Sequence, residues 1–210
     1  MKKLFPAVLA LLMLLMPLPV MAEGCLPRAL TADEAAAANL FLSNFTETGI
    51  RSCSSYSDDM VLVDFAHDHM WFNSQSSYEY GEYSRGNNCR VSDDRIQTII
   101  DKYFYDSYPV DLSETRFDYI DGYYYHCETG GWTSCGFAHA VSICPIGDNQ
   151  YFVLFYIYGG GNHWENSILS ASTEEIEALY GAPGGCGSAL IYAEDLADRS
   201  TYKMISYSAA

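Results

Sequence analysis

The apolar pattern of this chain changes period once, near Pro109, and that change limits the fold more than any other feature. Before it, hydrophobic residues recur at the three-and-four spacing of helices; after it they come in aromatic and β-branched runs broken by Gly and Asp-Asn turns. Helices followed by strands predict an α+β fold, in which N-terminal helices pack on a C-terminal curved antiparallel meander.

The local signals make the helices specific. Thr31-Ala-Asp-Glu34 is a capping box, in which hydroxyl and carboxylate satisfy the first free backbone amides; Leu40, Phe41, Leu42 and Phe45 then give an apolar end before Thr48-Gly49. A second helix is predicted from Asp58 to about Phe72 with Ser57 as N-cap. A third follows Ser92, where Ile96, Ile99, Ile100 and Tyr103 form one buried face. Ser172 and Glu175 predict a short helix to Tyr180, closed by Gly181 and Pro183. The runs Gly122–Cys127, Cys135–Ile143 and Tyr151–Tyr158 read as successive strands, the last two joined through Gly147-Asp148-Asn149. Ala189–Ala193 and Tyr202–Tyr207 finish the sheet. By analogy of fold alone this suggests a cystatin-like or NTF2-like architecture, which carries no function.

Met1–Ala22 has Lys2 and Lys3, an apolar run and small residues at its end, as a secretory signal peptide does. Cleavage after Ala22 is expected, leaving a single α+β domain over residues 23–210 in a secreted or cell-envelope associated protein. A lipid anchor on Cys25 is the alternative, opposed by Glu23, which stands where lipoprotein signals have small or apolar residues. Loss of Lys2 and Lys3 takes the net charge from −16 to about −18. A surface so acidic repels phosphate backbones and anionic lipid, so nucleic acid is not an expected partner. No second apolar stretch is long enough for a transmembrane helix.

Phe41-Leu-Ser-Asn-Phe45, Asp121-Gly-Tyr-Tyr-Tyr125 and Gly147-Asp-Asn-Gln-Tyr151 carry a resemblance to a family of secreted and lipid-anchored proteins from Gram-positive gut bacteria. The resemblance covers most of the chain beyond Ala22. It brings no activity, cofactor or active site with it.

The chain holds seven cysteines. Cys127 and Cys135 flank the segment Glu128–Ser134; if the runs on either side form a hairpin, the two lie opposite one another and a disulfide fits. In that register His139 faces Tyr123. A zinc site from Cys127, Cys135 and His139 is then too stretched for metal bonds of about 2.1–2.3 Å. His67 and His69 cannot share an ion either, because residues two apart on a helix differ by about 200°. One is expected at the surface and the other in or beside the core. No metal or other cofactor is expected.

Two functional readings follow. Eighteen tyrosines, with Tyr123, Tyr124 and Tyr125 in succession, suggest an aromatic face for an extracellular carbohydrate or peptide, hence a non-catalytic binding or interaction module. The alternative is a secreted thiol hydrolase, transglutaminase-like, with Cys135 as nucleophile and His163 as its base. Against it, Phe137, His139, Val141 and Ile143 alternate as a strand does, whereas that chemistry places the cysteine at a helix start. A structural envelope protein, its tyrosine face covered by a partner, is the third possibility.

Overall fold

The computed structural model describes residues 26–106, 109–127, 136–159 and 166–210. Residues 1–25, which include Cys25 and where the sequence leads us to expect a signal peptide, lie outside the described residues, as do Cys135 and His163. The first helix, α1 (Ala32–Glu47), opens with the capping box in both directions: Thr31 Oγ1 accepts from Glu34 N at 3.3 Å and Glu34 Oε2 accepts from Thr31 N at 2.8 Å. Helix α2 (Asp59–Asn73) begins one residue later than its sequence signals suggest, with Asp58 at the N-cap position. Ser57 is used elsewhere: its hydroxyl accepts from Ser54 N. Helices α3 (Asp93–Tyr103) and α4 (Thr173–Tyr180) follow the predicted spans, and α4 keeps its Ser172–Glu175 capping box.

Nine strands form two antiparallel sheets among the described residues. The larger has the order β1 (Ser52–Ser54), β9 (Lys203–Ala209), β8 (Gly185–Tyr192), β7 (Gln150–Gly159), β6 (Gly136–Gly147). Strands β6 to β9 are thus a meander, and β1, from between the first two helices, adds its far edge. The β6–β7 turn has Gly147, Asp148 and Asn149 all at positive φ, a left-handed geometry that favours Gly, Asp and Asn. The smaller sheet has the order β2 (Glu79–Tyr80), β3 (Cys89–Ser92), β5 (Tyr123–His126), β4 (Asp118–Ile120).

The second sheet corrects the predicted meander. Strand β5 pairs with β3 and β4, not with β6, so the hairpin across Glu128–Ser134 does not exist as a ladder. His139 pairs with Tyr156 rather than facing Tyr123. Cys127 carries a free, exposed thiol, and the Cys127–Cys135 clip is not formed. The order of helices before the main sheet holds, but the topology does not establish a cystatin-like or NTF2-like fold.

Aromatic rings from both halves of the chain meet in one core. Phe45 of α1 stacks on Phe65 of α2 with centroids 4.4 Å apart and on Tyr207 of β9 at 5.5 Å, and meets Tyr103 and Phe104 edge-on. Helix α2 is covered on both sides, which corrects the expectation for its histidines: His67 and His69 are both buried. His67 stacks on Phe117 at 3.6 Å toward the smaller sheet, and His69 meets Tyr103 of α3 at 4.5 Å. Residues on opposite sides of a helix are both buried when layers lie on each.

A third feature is the treatment of the β6 edge. A row of polar residues one and two turns apart on α1 caps that strand's outward backbone groups. Thr46 Oγ1 donates to Gly136 O at 3.1 Å, Ser43 Oγ accepts from Ala138 N at 3.0 Å, and Asn39 Oδ1 accepts from Ala140 N at 2.6 Å. Beyond the bulge between Ala140 and Ser142, Arg28 and Ile143 exchange both backbone hydrogen bonds at 2.9 Å. A long strand edge is a template for unwanted pairing, and here a helix covers it with side chains.

Candidate binding face

Alternation along β5 divides the three successive tyrosines between two sides. Tyr124 points inward and is fully buried, its hydroxyl donating to Leu112 O at 2.5 Å, so it is no part of an aromatic face. Tyr123 and Tyr125 point outward and are partly exposed. The register puts them in two cross-strand rows on the outer side of the smaller sheet. One row runs Glu79, Arg90, Tyr125, Asp118, and the other Ser92, Tyr123, Ile120.

Arg90 ties the face together. Its guanidinium lies over the Tyr123 ring at 4.0 Å and the Tyr83 ring at 5.1 Å, and Tyr83 meets Tyr125 edge-on at 5.3 Å. Nε and Nη2 both donate to Glu79 Oε2, at 2.9 and 2.8 Å, and Nη1 reaches the Tyr125 hydroxyl at 3.5 Å. The hydrogen bonds to Tyr125 and Glu79 hold the Arg90 pKa above its already high ordinary value. At the rim, Arg85 Nη1 donates to Asp118 Oδ1 at 2.7 Å and Asn87 Nδ2 donates to the second carboxylate oxygen at 3.2 Å. Both cations of this face are therefore matched by carboxylates, and the patch is neutral on a protein of net charge −16.

Neither Tyr83 nor Arg90 is marked out by the sequence runs that flag Tyr123 and Tyr125. The signal that finds Arg90 is the alternation of Cys89, Arg90, Val91 and Ser92, which buries Cys89 and Val91 and turns Arg90 outward.

The thiol hydrolase residues stand differently. Cys135 and His163 lie outside the described residues; the described ends of β6 and β7 next to them, Gly136 and Gly159, are paired. The chain directly after Cys135 is strand from Gly136 onward. The nearest described histidine on β6, His139, is a structural group. Its Nδ1 lies 3.3 Å from Asn39 Nδ2 and its Nε2 is 3.0 Å from Thr173 Oγ1, and burial lowers its pKa. Of the other thiols, Cys53 is buried and pushed up to about 12, outside nucleophilic range. Among the described residues no group of His, Cys, Asp and Glu is arranged to hold a metal ion. No described helix is long and apolar enough to cross a membrane.

No protein-family model matches the chain, and no similar protein was found among curated proteins or solved structures.

Proposed function

We propose that this is an exported, non-catalytic binding module whose outer tyrosine face receives an uncharged carbohydrate. The observation that carries this reading is the neutral polar-aromatic patch built by Tyr83, Arg90, Tyr123 and Tyr125 on a strongly acidic protein. Tyrosine rings offer flat apolar surface to sugar C–H groups, and the hydroxyl of Tyr125 with the Glu79–Arg90 pair offers hydrogen bonds to sugar hydroxyls. Paired charges leave no net field to select an ion, so a neutral ligand fits better than a charged one.

An extended peptide is the less favoured occupant because strand addition needs a free edge. Among the described residues the edge strands β1, β2 and β4 have three, two and three residues, and the long edge of β6 is capped by α1 and Arg28. Titration calorimetry of the exported protein with cellohexaose, xylohexaose and maltohexaose tests the reading. A flat face predicts a Kd of roughly 0.1–1 mM for at least one of them, weakened about tenfold or more by Tyr123→Ala. Absence of heat with all three up to about 10 mM, or binding that Tyr123→Ala leaves intact, overturns it.

The second reading, a thiol hydrolase using Cys135 and His163, draws on the Gly136–Gly159 pairing and on the free thiol of Cys127. The strand that starts at Gly136 weighs against it, because the residues after Cys135 supply no helix N-terminus to stabilise a thiolate. Rapid iodoacetamide labelling of Cys135 near neutral pH, together with thioester hydrolysis lost in Cys135→Ala, would favour it over the binding module.

A further inference from the structure

Strands β2 and β3 are joined by residues 81–88, and three side chains of this connection turn back over the outer side of the smaller sheet. Tyr83 meets Tyr125 edge-on at 5.3 Å and lies 5.1 Å from the Arg90 guanidinium. Arg85 and Asn87 both donate to one carboxylate, that of Asp118, at 2.7 and 3.2 Å. Asp118 belongs to β4, and the sheet order puts it two strands beyond β3, about 10 Å away. The connection is therefore a strap drawn across β5 and fastened at the far edge strand. Its two arms are joined by Gly81 N to Asn88 O and by Tyr83 N to Asn87 O, each at 3.0 Å.

The turn at the tip of the strap holds an unusual residue for its geometry. Asn87 N donates to Ser84 O at 3.2 Å, and between them Arg85 and Gly86 have positive φ, 60° and 78°. A tight turn with two left-handed residues favours Asn-Gly or Asp-Gly, because a longer side chain crowds its own backbone there. Arg85 bears that strain, and the ion pair its side chain makes is the one with Asp118. Gly81 leaves room for the ring that the strap carries: a Cβ there would stand 3.3 Å from Tyr83 Cζ and from its hydroxyl oxygen. A backbone outlier held beside a candidate site points to a role for the residue that carries it.

We infer that Asp118 is a positioning residue of the tyrosine face: its carboxylate latches the strap through Arg85 and Asn87, and so sets Tyr83 beside Tyr125 as the third ring offered to a sugar. The consequence for sugar binding rests on the carbohydrate reading; the latch itself does not. The Arg85 and Asp118 side chains are 70% and 34% exposed, so dissolved salt reaches the pair and weakens it. Affinity for an uncharged sugar thereby acquires a salt dependence that passes through Asp118.

The test has two arms on the full-length protein. Without sugar, the tyrosine rings are ¹³C-labelled, and the Tyr83 signal is expected to move toward that of the exposed Tyr56 in Asp118→Ala. It should move the same way in the native protein between about 0.05 and about 1 M NaCl. With whichever of the three hexasaccharides binds tightest, Asp118→Ala and Tyr83→Ala each weaken binding about fivefold, and the double variant weakens it no further. The part of the salt dependence that passes through the latch vanishes in Asp118→Ala. Arg85→Asn separates the latch from the turn: it suits the positive φ and removes the guanidinium, so binding should weaken at least about twofold while the urea midpoint is kept. A Tyr83 signal that stays in place in Asp118→Ala overturns the inference. So do unchanged affinity in Asp118→Ala, full additivity in the double variant, or native affinity in Arg85→Asn. If no hexasaccharide binds any form, the carbohydrate reading falls and the sugar-free arm alone decides the latch.

Discussion

Asn39 is the residue whose loss the edge-capping arrangement should feel most. Its side chain is buried and meets three groups: Oδ1 accepts from Ala140 N at 2.6 Å, Nδ2 donates to Leu169 O at 2.6 Å, and Nδ2 lies 3.3 Å from His139 Nδ1. Asn39→Leu keeps the volume and removes every polar partner, stranding a backbone N–H and a backbone C=O away from water. Each stranded group costs about 1–3 kcal/mol, so the loss should be about 4 kcal/mol. With a urea m-value of about 2 kcal/mol per molar, the unfolding midpoint falls by about 2 M. Ser43→Ala, which removes the acceptor for Ala138 N, should cost about 1–2 kcal/mol by the same reasoning. Hydrogen exchange gives the local readout: the Ala140 amide loses protection in Asn39→Leu more than amides at the β8–β9 pairing do. A midpoint shift below about 0.7 M, or an Ala140 amide as protected as before, would refute the view that α1 side chains satisfy this edge.

Two further outcomes follow from packing and titration. Gly187→Ala should destabilise by about 3 kcal/mol in the same urea assay, because a Cβ there would sit 2.3 Å from Phe155 Cζ and 2.6 Å from Ser208 O; a neutral effect would mean that Phe155 moves aside freely. Burial lowers the His69 pKa to about 4 from an ordinary 6.5, and it lowers those of His67 and His139 too. For a base held neutral in the fold, stability is complete above the unfolded-state pKa and is lost as pH falls toward the folded one. Stability should therefore decline between about pH 6.5 and 4, with His69 contributing up to about 3 kcal/mol. His69→Phe should flatten the pH profile in that window when unfolding is followed by circular dichroism, and an unchanged slope would contradict the assignment.

What the sequence disclosed was mainly what a few neighbouring residues decide among themselves. The capping boxes at Thr31 and Ser172 and the turn at Gly147-Asp148-Asn149 are local chemistry, and they stand where the sequence puts them. The partner of β5 was not legible, because a strand's neighbour is chosen by tertiary packing. Adjacency in sequence favoured β6, whereas β3, a four-residue strand just ahead of α3, took that place. The same override buried both histidines of α2, since nothing in His67-Asp68-His69 announces that layers cover two sides of the helix. The sides of the tyrosine run were readable from period two alone: Tyr123 and Tyr125 must share a side that Tyr124 leaves. Arg90 joins them only through the β3–β5 register, so the composite face could not be assembled from the sequence.

Selective ¹³C labelling of tyrosine rings, followed by NMR titration with the neutral hexasaccharides, examines the binding face most directly. Signals from Tyr83, Tyr123 and Tyr125 should shift together and saturate in the millimolar range, while the buried Tyr124, Tyr158 and Tyr202 stay in place. Shifts confined to rings away from the smaller sheet, or none at saturating sugar, would contradict the account.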